Sequence, residues 1–219
     1  MVDDQLLAEV DLFRSLSDEA RADVATTAES RQLRRGHVLF DEGDTATELF
    51  IVESGRIAIA NRSADGRESV FALMETGDVF GEMPLFDGLG RSAEARALEA
   101  SVVVAVPYQP LREVLQSDPT LLWGVVELLA RRLRSMDAAL ADSVFLDVTG
   151  RTAKRLLELA NGAEEFQLPI TQEELAGLVG ASRERVNKAL SSFLRLGWIE
   201  QHEKRYRITN RPQLELRAR

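Results

Sequence analysis

Thr171-Gln172-Glu173-Glu174-Leu175-Ala176-Gly177-Leu178-Val179-Gly180-Ala181-Ser182-Arg183-Glu184-Arg185-Val186-Asn187-Lys188-Ala189-Leu190 reads as two short helices hinged at Gly180. Thr171 is placed to cap the first helix while Glu174 reaches back to the cap amide, and Leu175, Leu178 and Val179 supply the apolar stripe behind this capping box. Gly180 supplies the positive φ that a helix end commonly needs, and Ser182 is placed to cap the next helix two residues on. Val186, Ala189 and Leu190 then face inward at helical spacing. Arg183, Glu184, Arg185 and Lys188 gather near the amino-terminal end of that second helix, where a recognition helix meets base edges, and Ser182 would hold a phosphate there. The plainer alternative is a helical hairpin with a solvated charged face. Against it stands the next stretch of chain: Trp198, Ile199 and Glu200, then Tyr206, Arg207 and Ile208, alternate like two short strands around the polar turn His202-Glu203-Lys204. A helix-turn-helix with a hairpin after it is a winged helix, and its default partner is double-stranded DNA.

The charge of the whole chain argues the other way until it is divided. The 219 residues carry a formal charge of −9, and the pI is about 4.9. From Val148 onward, however, 13 Lys and Arg stand against 9 Asp and Glu, a local excess of +4. Phosphate contacts need only a local patch, so the acidic part sits away from the duplex and the chain reads as two functional halves. The absence of cysteine excludes disulfides, thiolate metal sites and iron-sulfur clusters, and His37 and His202 alone make a metal or haem sensor a poor expectation. Val2, Asp3 and Asp4 open the chain without a basic-then-apolar signal. The near-apolar runs Val102 to Pro107 and Leu121 to Ala130 are too short to cross a membrane. A cytoplasmic protein without membrane association is the expectation.

The acidic half begins with an amphipathic helix around Asp18 to Glu29 and continues as short β-type runs punctuated by Gly43, Gly55, Gly66, Gly77 and Gly81. The first four glycines lie 12, 11 and 11 residues apart. Regular turns between Leu49-Phe50-Ile51-Val52, Arg56-Ile57-Ala58-Ile59 and Ser69-Val70-Phe71-Ala72-Leu73 imply an antiparallel sandwich or roll. Within it, Gly81-Glu82-Met83-Pro84-Leu85-Phe86-Asp87-Gly88-Leu89-Gly90-Arg91-Ser92 has the chemistry of a cassette for an anionic sugar. Arg91 can fork onto an anionic oxygen, Ser92 adds a hydroxyl, Glu82 suits a sugar hydroxyl, and amides near Glu82 and Met83 can form an anion nest. The competing reading is a surface loop in which Glu82 and Arg91 pair with each other.

Between the halves, Asp118 and Pro119 open a helix that runs to about Ala141. Leu122, Val126, Leu129, Leu133, Met136 and Leu140 recur at steps of four, three, four, three and four, a heptad seam flanked by Arg131, Arg132, Arg134 and Asp137. Nearly three heptads suit a coiled coil between two copies of the chain, whereas a helix packed on its own domain would show a broader stripe. Phe145-Leu146-Asp147-Val148-Thr149-Gly150-Arg151 ends this helix, and Asp147 caps another with the stripe Ala153, Leu156, Leu157 and Ala160, closed by Asn161 and Gly162. So short a junction leaves little slack and reads as a hinge.

This order of parts, from about Leu12 to Ile208, resembles the CRP/FNR family of bacterial regulators, in its cAMP receptor protein branch. The resemblance rests on Gly81-Glu82 to Arg91-Ser92, on Phe145 to Arg151, and on Val179-Gly180-Ala181-Ser182-Arg183-Glu184. It implies an α+β chain: a cyclic-nucleotide-binding antiparallel β-roll over residues 1–117, a dimerisation helix over 118–146, and a winged helix-turn-helix over 147–219. It further implies that Glu82 takes the ribose hydroxyl, with Gly81 and Met83 beside it, and that Arg91 and Ser92 hold the cyclic phosphate. Arg183, Glu184 and Lys188 would read bases of a palindromic, TGTGA-like site, with Thr171 and Ser182 among the phosphate contacts. RNA polymerase is a further partner that the resemblance allows. Lys188 stands where better known members have Arg, which keeps a donor for guanine and loses the fork. Where cAMP-binding members offer Thr and a small polar residue to adenine, this chain has Met136-Asp137. Met136 cannot accept that hydrogen bond, whereas Asp137 can accept from adenine or, bidentately, from guanine. The expected effector is therefore cAMP, with cGMP as a competitor, and no metal.

Two other functions stay open on the residues. One is the same fold binding DNA largely without ligand, if the ligand distinguishes its two states poorly. The other is a nucleotide-binding scaffold that regulates a partner protein. An enzyme is not expected, since no chain remains for a catalytic domain and no nucleophile with a base is seen.

Overall fold

Glycine-punctuated β runs and capped helices give two compact units in the computed structural model, which describes residues 4–14, 16–62, 68–203 and 205–219. Gly66 and Lys204, expected in turns, lie outside the described residues. The first unit is built from the residues before position 63 together with Phe71–Arg134, and the second chiefly from Ser135–Arg219.

In the first unit, helices α1 (Asp4–Glu9), α2 (Asp11–Arg14) and α3 (Asp18–Thr27) precede the strands. Ser17 caps α3, accepting from the Ala20 amide at 3.2 Å. Strands β1 (Glu29–Leu33), β2 (Val38–Phe40), β3 (Glu48–Ser54), β4 (Ile57–Arg62), β5 (Glu68–Met74) and β6 (Val79–Phe80) come next. Then come α4 (Met83–Asp87), β7 (Glu94–Ala97), β8 (Ser101–Pro107) and α5 (Tyr108–Ser117). The strands make two antiparallel sheets of four, ordered β1-β8-β3-β6 and β2-β7-β4-β5. Residue 29, expected at the end of the first long helix, starts β1 instead, because Glu29 pairs with Ala105 and the ladder outcompetes one more helical turn.

The central strands explain why Leu49-Phe50-Ile51-Val52 is a continuous apolar run rather than an alternating one. Both faces of β3 are covered, so period-2 geometry sends Leu49 and Ile51 to the helix-covered core and Phe50 and Val52 to the core between the sheets. Its neighbour β8 divides in the same way, with Val104 and Val106 on the first side and Val103 and Ala105 on the second. Phe40, Phe50 and Phe80 pack at centroid distances of 5.4 to 6.2 Å in and against the second core, with Phe50 stacked on both others.

A 3-10 turn, Pro119–Leu121, capped by the Asp118 carboxylate on the Thr120 amide, leads into α6 (Leu122–Phe145). The helix runs four residues beyond Ala141, since Ala141, Asp142, Ser143 and Val144 carry nothing that breaks it. Val125 alone among its residues is buried. The heptad seam points to solvent: Leu133 is 60% exposed, Met136 68% and Leu140 64%.

The second unit holds α7 (Val148–Ala160), β9 (Glu165–Gln167), α8 (Gln172–Val179), α9 (Arg183–Arg195), β10 (Ile199–His202), β11 (Arg205–Ile208) and α10 (Arg211–Arg217). Asp147 caps α7 by accepting from the Gly150 amide at 2.8 Å, and Asn161 closes it in the left-handed region. The hairpin β10-β11 gains a third strand, β9, on the β11 side. The chain past Ile208 forms α10, capped by Asn210 and packed on α7 with Leu214 fully buried. Arg217 reaches the Asp147 carboxylate, so α10 braces the cap of α7.

Candidate functional site

The cassette is held at its two ends. Gly81 comes directly after β6 with φ of +73°, a conformation that favours glycine, and a Cβ there would lie 2.5 Å from Arg91 Nη1 and push the guanidinium aside. At the far end, the Arg91 amide donates to Asp44 O at 2.9 Å and the Gly43 amide to Arg91 O at 2.8 Å. Between the ends, α4 closes on Gly88 in the left-handed region, and Leu89 projects into solvent.

Glu82 and Arg91 are 0% and 5% exposed. They do not pair with each other, which sets aside the reading of a stray ion pair on a surface loop. Arg91 Nη1 donates to Gly81 O at 2.8 Å and to the Tyr108 hydroxyl at 3.2 Å, and Nη2 donates to Glu48 O at 2.9 Å. Its guanidinium lies 4.1 Å from the Phe40 ring centroid, a cation-π contact. Burial lowers the Arg91 pKa below its ordinary value, although the residue stays a cation. Burial likewise pushes the Tyr108 phenol up to about 12. Glu82 Oε1 accepts from Arg132 Nη1 on α6, while Arg132 Nη2 donates to Val79 O.

Two buried atoms of the cassette have no partner among the described residues: Glu82 Oε2 and Arg91 Nε. Buried polar atoms are ordinarily bonded, so this pair of orphans marks groups suited to something absent from the protein itself. A carboxylate oxygen accepts from a hydroxyl, and a guanidinium N–H donates to an anionic oxygen; a sugar phosphate offers both. Ser92 lies on the exposed side and donates to Met83 Sδ at 3.5 Å. The structure thus brings Gly81, Glu82, Met83, Arg91 and Ser92 together. Met136 and Asp137 lie on the Ser135–Phe145 part of α6, in the second unit, both exposed.

Arg132, Tyr108 and the Glu48 carbonyl are site groups that the sequence does not announce. Arg132 reads there only as a polar flank of the seam, and its step from the seam residue Leu129 is the available signal. Tyr108 offers none beyond being a hydroxyl at the start of a helix.

In the second unit the capping box is complete: Thr171 Oγ1 accepts from the Glu174 amide at 3.2 Å, and Glu174 Oε2 accepts from the Thr171 amide at 2.6 Å. Gly180 ends α8 with φ of +65°, and Ser182 caps α9 through the Arg185 amide at 3.4 Å. Val186, Ala189, Leu190 and Phe193 bury one face of α9. Arg183, Glu184 and Lys188 remain in solvent. Lys188 donates to Glu184 at 2.7 Å, and this contact holds the Glu184 carboxyl below its ordinary range. Arg183 lies 3.9 Å from Glu173, too long for a hydrogen bond. A shallow groove of about 460 Å³ runs beside Glu184, Asn187, Lys188 and Arg195.

Among the described residues no helix is long and apolar enough to cross a membrane, and no group of His, Asp or Glu is arranged to hold a metal ion. Residues 30–118 match the cyclic nucleotide-binding domain and residues 150–217 the Crp-like helix-turn-helix domain. A CRP-like cAMP-activated global transcriptional regulator of Mycobacterium tuberculosis is 38% identical over 99% of this chain and 100% of its own length. The cAMP-activated global transcriptional regulator CRP of Salmonella typhimurium is 33% identical over 76% of this chain and 82% of its own. The solved structure of the c-di-GMP responsive global regulator CLP of Xanthomonas campestris superposes with a TM-score of 0.76 at 25% identity, covering 88% of this chain and 99% of that one. With both domain matches in the expected order and relatives of this closeness, the chain belongs to the CRP/FNR family of DNA-binding transcriptional regulators that carry a cyclic nucleotide-binding domain.

Proposed function

We propose that the protein is a cytoplasmic homodimer whose affinity for a palindromic, TGTGA-like operator is set by cAMP bound in the β-roll, with cGMP as the competing effector. The observation that carries the effector is the pair of buried, unpartnered atoms Glu82 Oε2 and Arg91 Nε. In this reading Glu82 accepts the ribose hydroxyl, Arg91 and Ser92 take the cyclic phosphate, and Gly81 and Met83 border the sugar. Met136 and Asp137 on α6 meet the base, and Asp137 is the reason cGMP competes. The apolar seam from Leu122 to Leu140 pairs two copies, because six exposed apolar residues at heptad spacing gain most from a matching helix. Residues 1–117 act as sensor, 118–146 as dimer helix and 147–219 as reader.

On DNA, Arg183, Glu184 and Lys188 contact bases and Thr171 and Ser182 contact phosphates. The two recognition helices of a dimer then address half-sites about one turn apart. Nucleotide shifts the equilibrium toward the DNA-competent arrangement only by its difference in affinity for the two states, with the junction at Asp147 as the hinge. The protein regulates transcription without catalysing a reaction, and RNA polymerase is its further partner.

A fluorescence-anisotropy titration on a palindromic probe with TGTGA half-sites tests this, with and without cAMP or cGMP. Tightening by about tenfold with cAMP, within the usual range of allosteric coupling, is the expected result. Binding indifferent to both nucleotides removes the effector. Equal affinity for a scrambled probe removes the operator.

A further inference from the structure

We propose that Tyr108 is a positioning residue for the effector phosphate, acting through Arg91; this rests on the proposed effector and extends it. Tyr108 opens α5 immediately after β8, and its amide donates to Thr47 O at 2.8 Å, so its backbone is tied to the loop ahead of β3. The ring is 6% exposed and packs in the helix-covered core. Its hydroxyl reaches back into the cassette, donating to Gly81 O and accepting from Arg91 Nη1 at 3.2 Å. One phenol therefore joins the carbonyl of the first cassette residue to the cation near the last.

The hydrogen bonds of the guanidinium explain why that matters. Nη1 has two hydrogens, and Gly81 O and Tyr108 take them both. Nη2 gives one to Glu48 O, and the Phe40 ring lies against the flat face at 4.1 Å. What remains is Nε, buried and without partner, and the second hydrogen of Nη2. Nε and Nη2 form an edge of the guanidinium that can fork onto two oxygens of a phosphate. Saturating Nη1 thus directs the free edge of the arginine to the ligand. With phenylalanine at 108, Nη1 keeps a buried hydrogen unbonded and the guanidinium loses one of the three hydrogen bonds that fix its rotation. Burial keeps the phenol protonated, with its pKa pushed up to about 12, so the hydroxyl stays a donor to Gly81 O throughout the working range.

The experiment is a double-mutant cycle read by calorimetric titration of the full chain with cAMP. It uses the unchanged protein, Tyr108→Phe, Arg91→Gln and the double variant, alongside the thermal midpoint of each without ligand. Tyr108→Phe is expected to bind cAMP about tenfold to a hundredfold more weakly, as for the loss of a hydrogen bond that orients a charge. Its ligand-free midpoint should fall by a few degrees, as for one buried donor left unbonded, and the substitution should cost no further cAMP affinity in the Arg91→Gln background. An unaltered affinity in Tyr108→Phe overturns the proposal. So does the same loss in both backgrounds, with or without a lowered midpoint, since that makes Tyr108 a core residue independent of Arg91. If the unchanged protein binds no cyclic nucleotide, the effector reading falls and this inference with it, whereas binding with an indifferent Tyr108→Phe removes this inference alone.

Discussion

Glu82 and Arg91 are charges folded into the sheet unit, 0% and 5% exposed, whereas the Arg183, Glu184 and Lys188 side chains on α9 stand 60%, 76% and 75% in solvent. Taking an ion out of water costs several kcal/mol, so each buried charge needs designated partners: Arg132 for Glu82, and Tyr108, Gly81 O, Glu48 O and Phe40 for Arg91. The α9 charges need none, and their contacts with Glu173 or with each other are loose or local. The contrast teaches what each surface is prepared for. A small ligand can be met by groups fixed in advance, because orientation before binding lowers the ordering cost of binding. A duplex brings its own high charge, and solvated side chains can settle onto it without a desolvated intermediate.

The contrast is broken most directly at Arg132. Replacing it by Ala leaves Glu82 buried without its cation, and urea unfolding should show a loss of about 3 kcal/mol, with Glu82→Gln in the same chain recovering most of it. A loss below about 1 kcal/mol would place the pair among ordinary surface contacts. Arg183→Ala should do the opposite. It is expected to leave unfolding within about 0.5 kcal/mol while removing about 1 to 3 kcal/mol of preference for the operator over a mismatched probe.

Asp147 lies between these cases, a surface carboxylate with a structural task. Asp147→Ala should cost about 1 kcal/mol at neutral pH, the usual value of a helix cap. The Gly150 amide first, and Arg217 second, hold this carboxyl below its ordinary range. Its contribution is therefore complete above the unfolded carboxylate pKa of about 4 and is lost as pH falls through the lower folded value. Denaturation curves of the variant and the unchanged protein should accordingly converge in acid; a difference that persists there would assign the cost to packing. The smallest effect is expected at Lys188. Lys188→Arg should leave the thermal midpoint where it is and, if Lys188 reads a guanine as proposed, sharpen discrimination at that base by several-fold, measured with single-base probe variants.

What can be read from the sequence is whatever depends on near neighbours. The capping box Thr171/Glu174, the turn at Gly180 and the cap Ser182 each span three or four residues, and all stand where the spacing places them. Glu82 and Arg91 are legible because a single loop carries both. Their partners come from far along the chain, since Arg132 is 50 residues beyond Glu82 and Glu48 is 43 before Arg91, and no local pattern joins such positions. Strand β9 is hidden because three residues are too few to show alternation. The tail helix α10 does carry a signal, a cap at Asn210 with Pro212 in its first turn, yet seven residues hold too short a stripe to look periodic. The end of α6 is not written locally either: sequence shows where a helix is capped, and past Ala141 nothing forces a stop before Leu146.

The cassette is an arch with both feet clamped, one by the glycine that covers Arg91 and the other by the paired amides of Gly43 and Arg91. Its crown, from Phe86 to Leu89, is borne by neither clamp and lies open to water, whereas a Cβ on Gly90 would lie 2.8 Å from Gly43 O. An insertion or substitution in that crown is therefore expected to leave the separation of the Glu82 carboxylate and the Arg91 guanidinium unchanged.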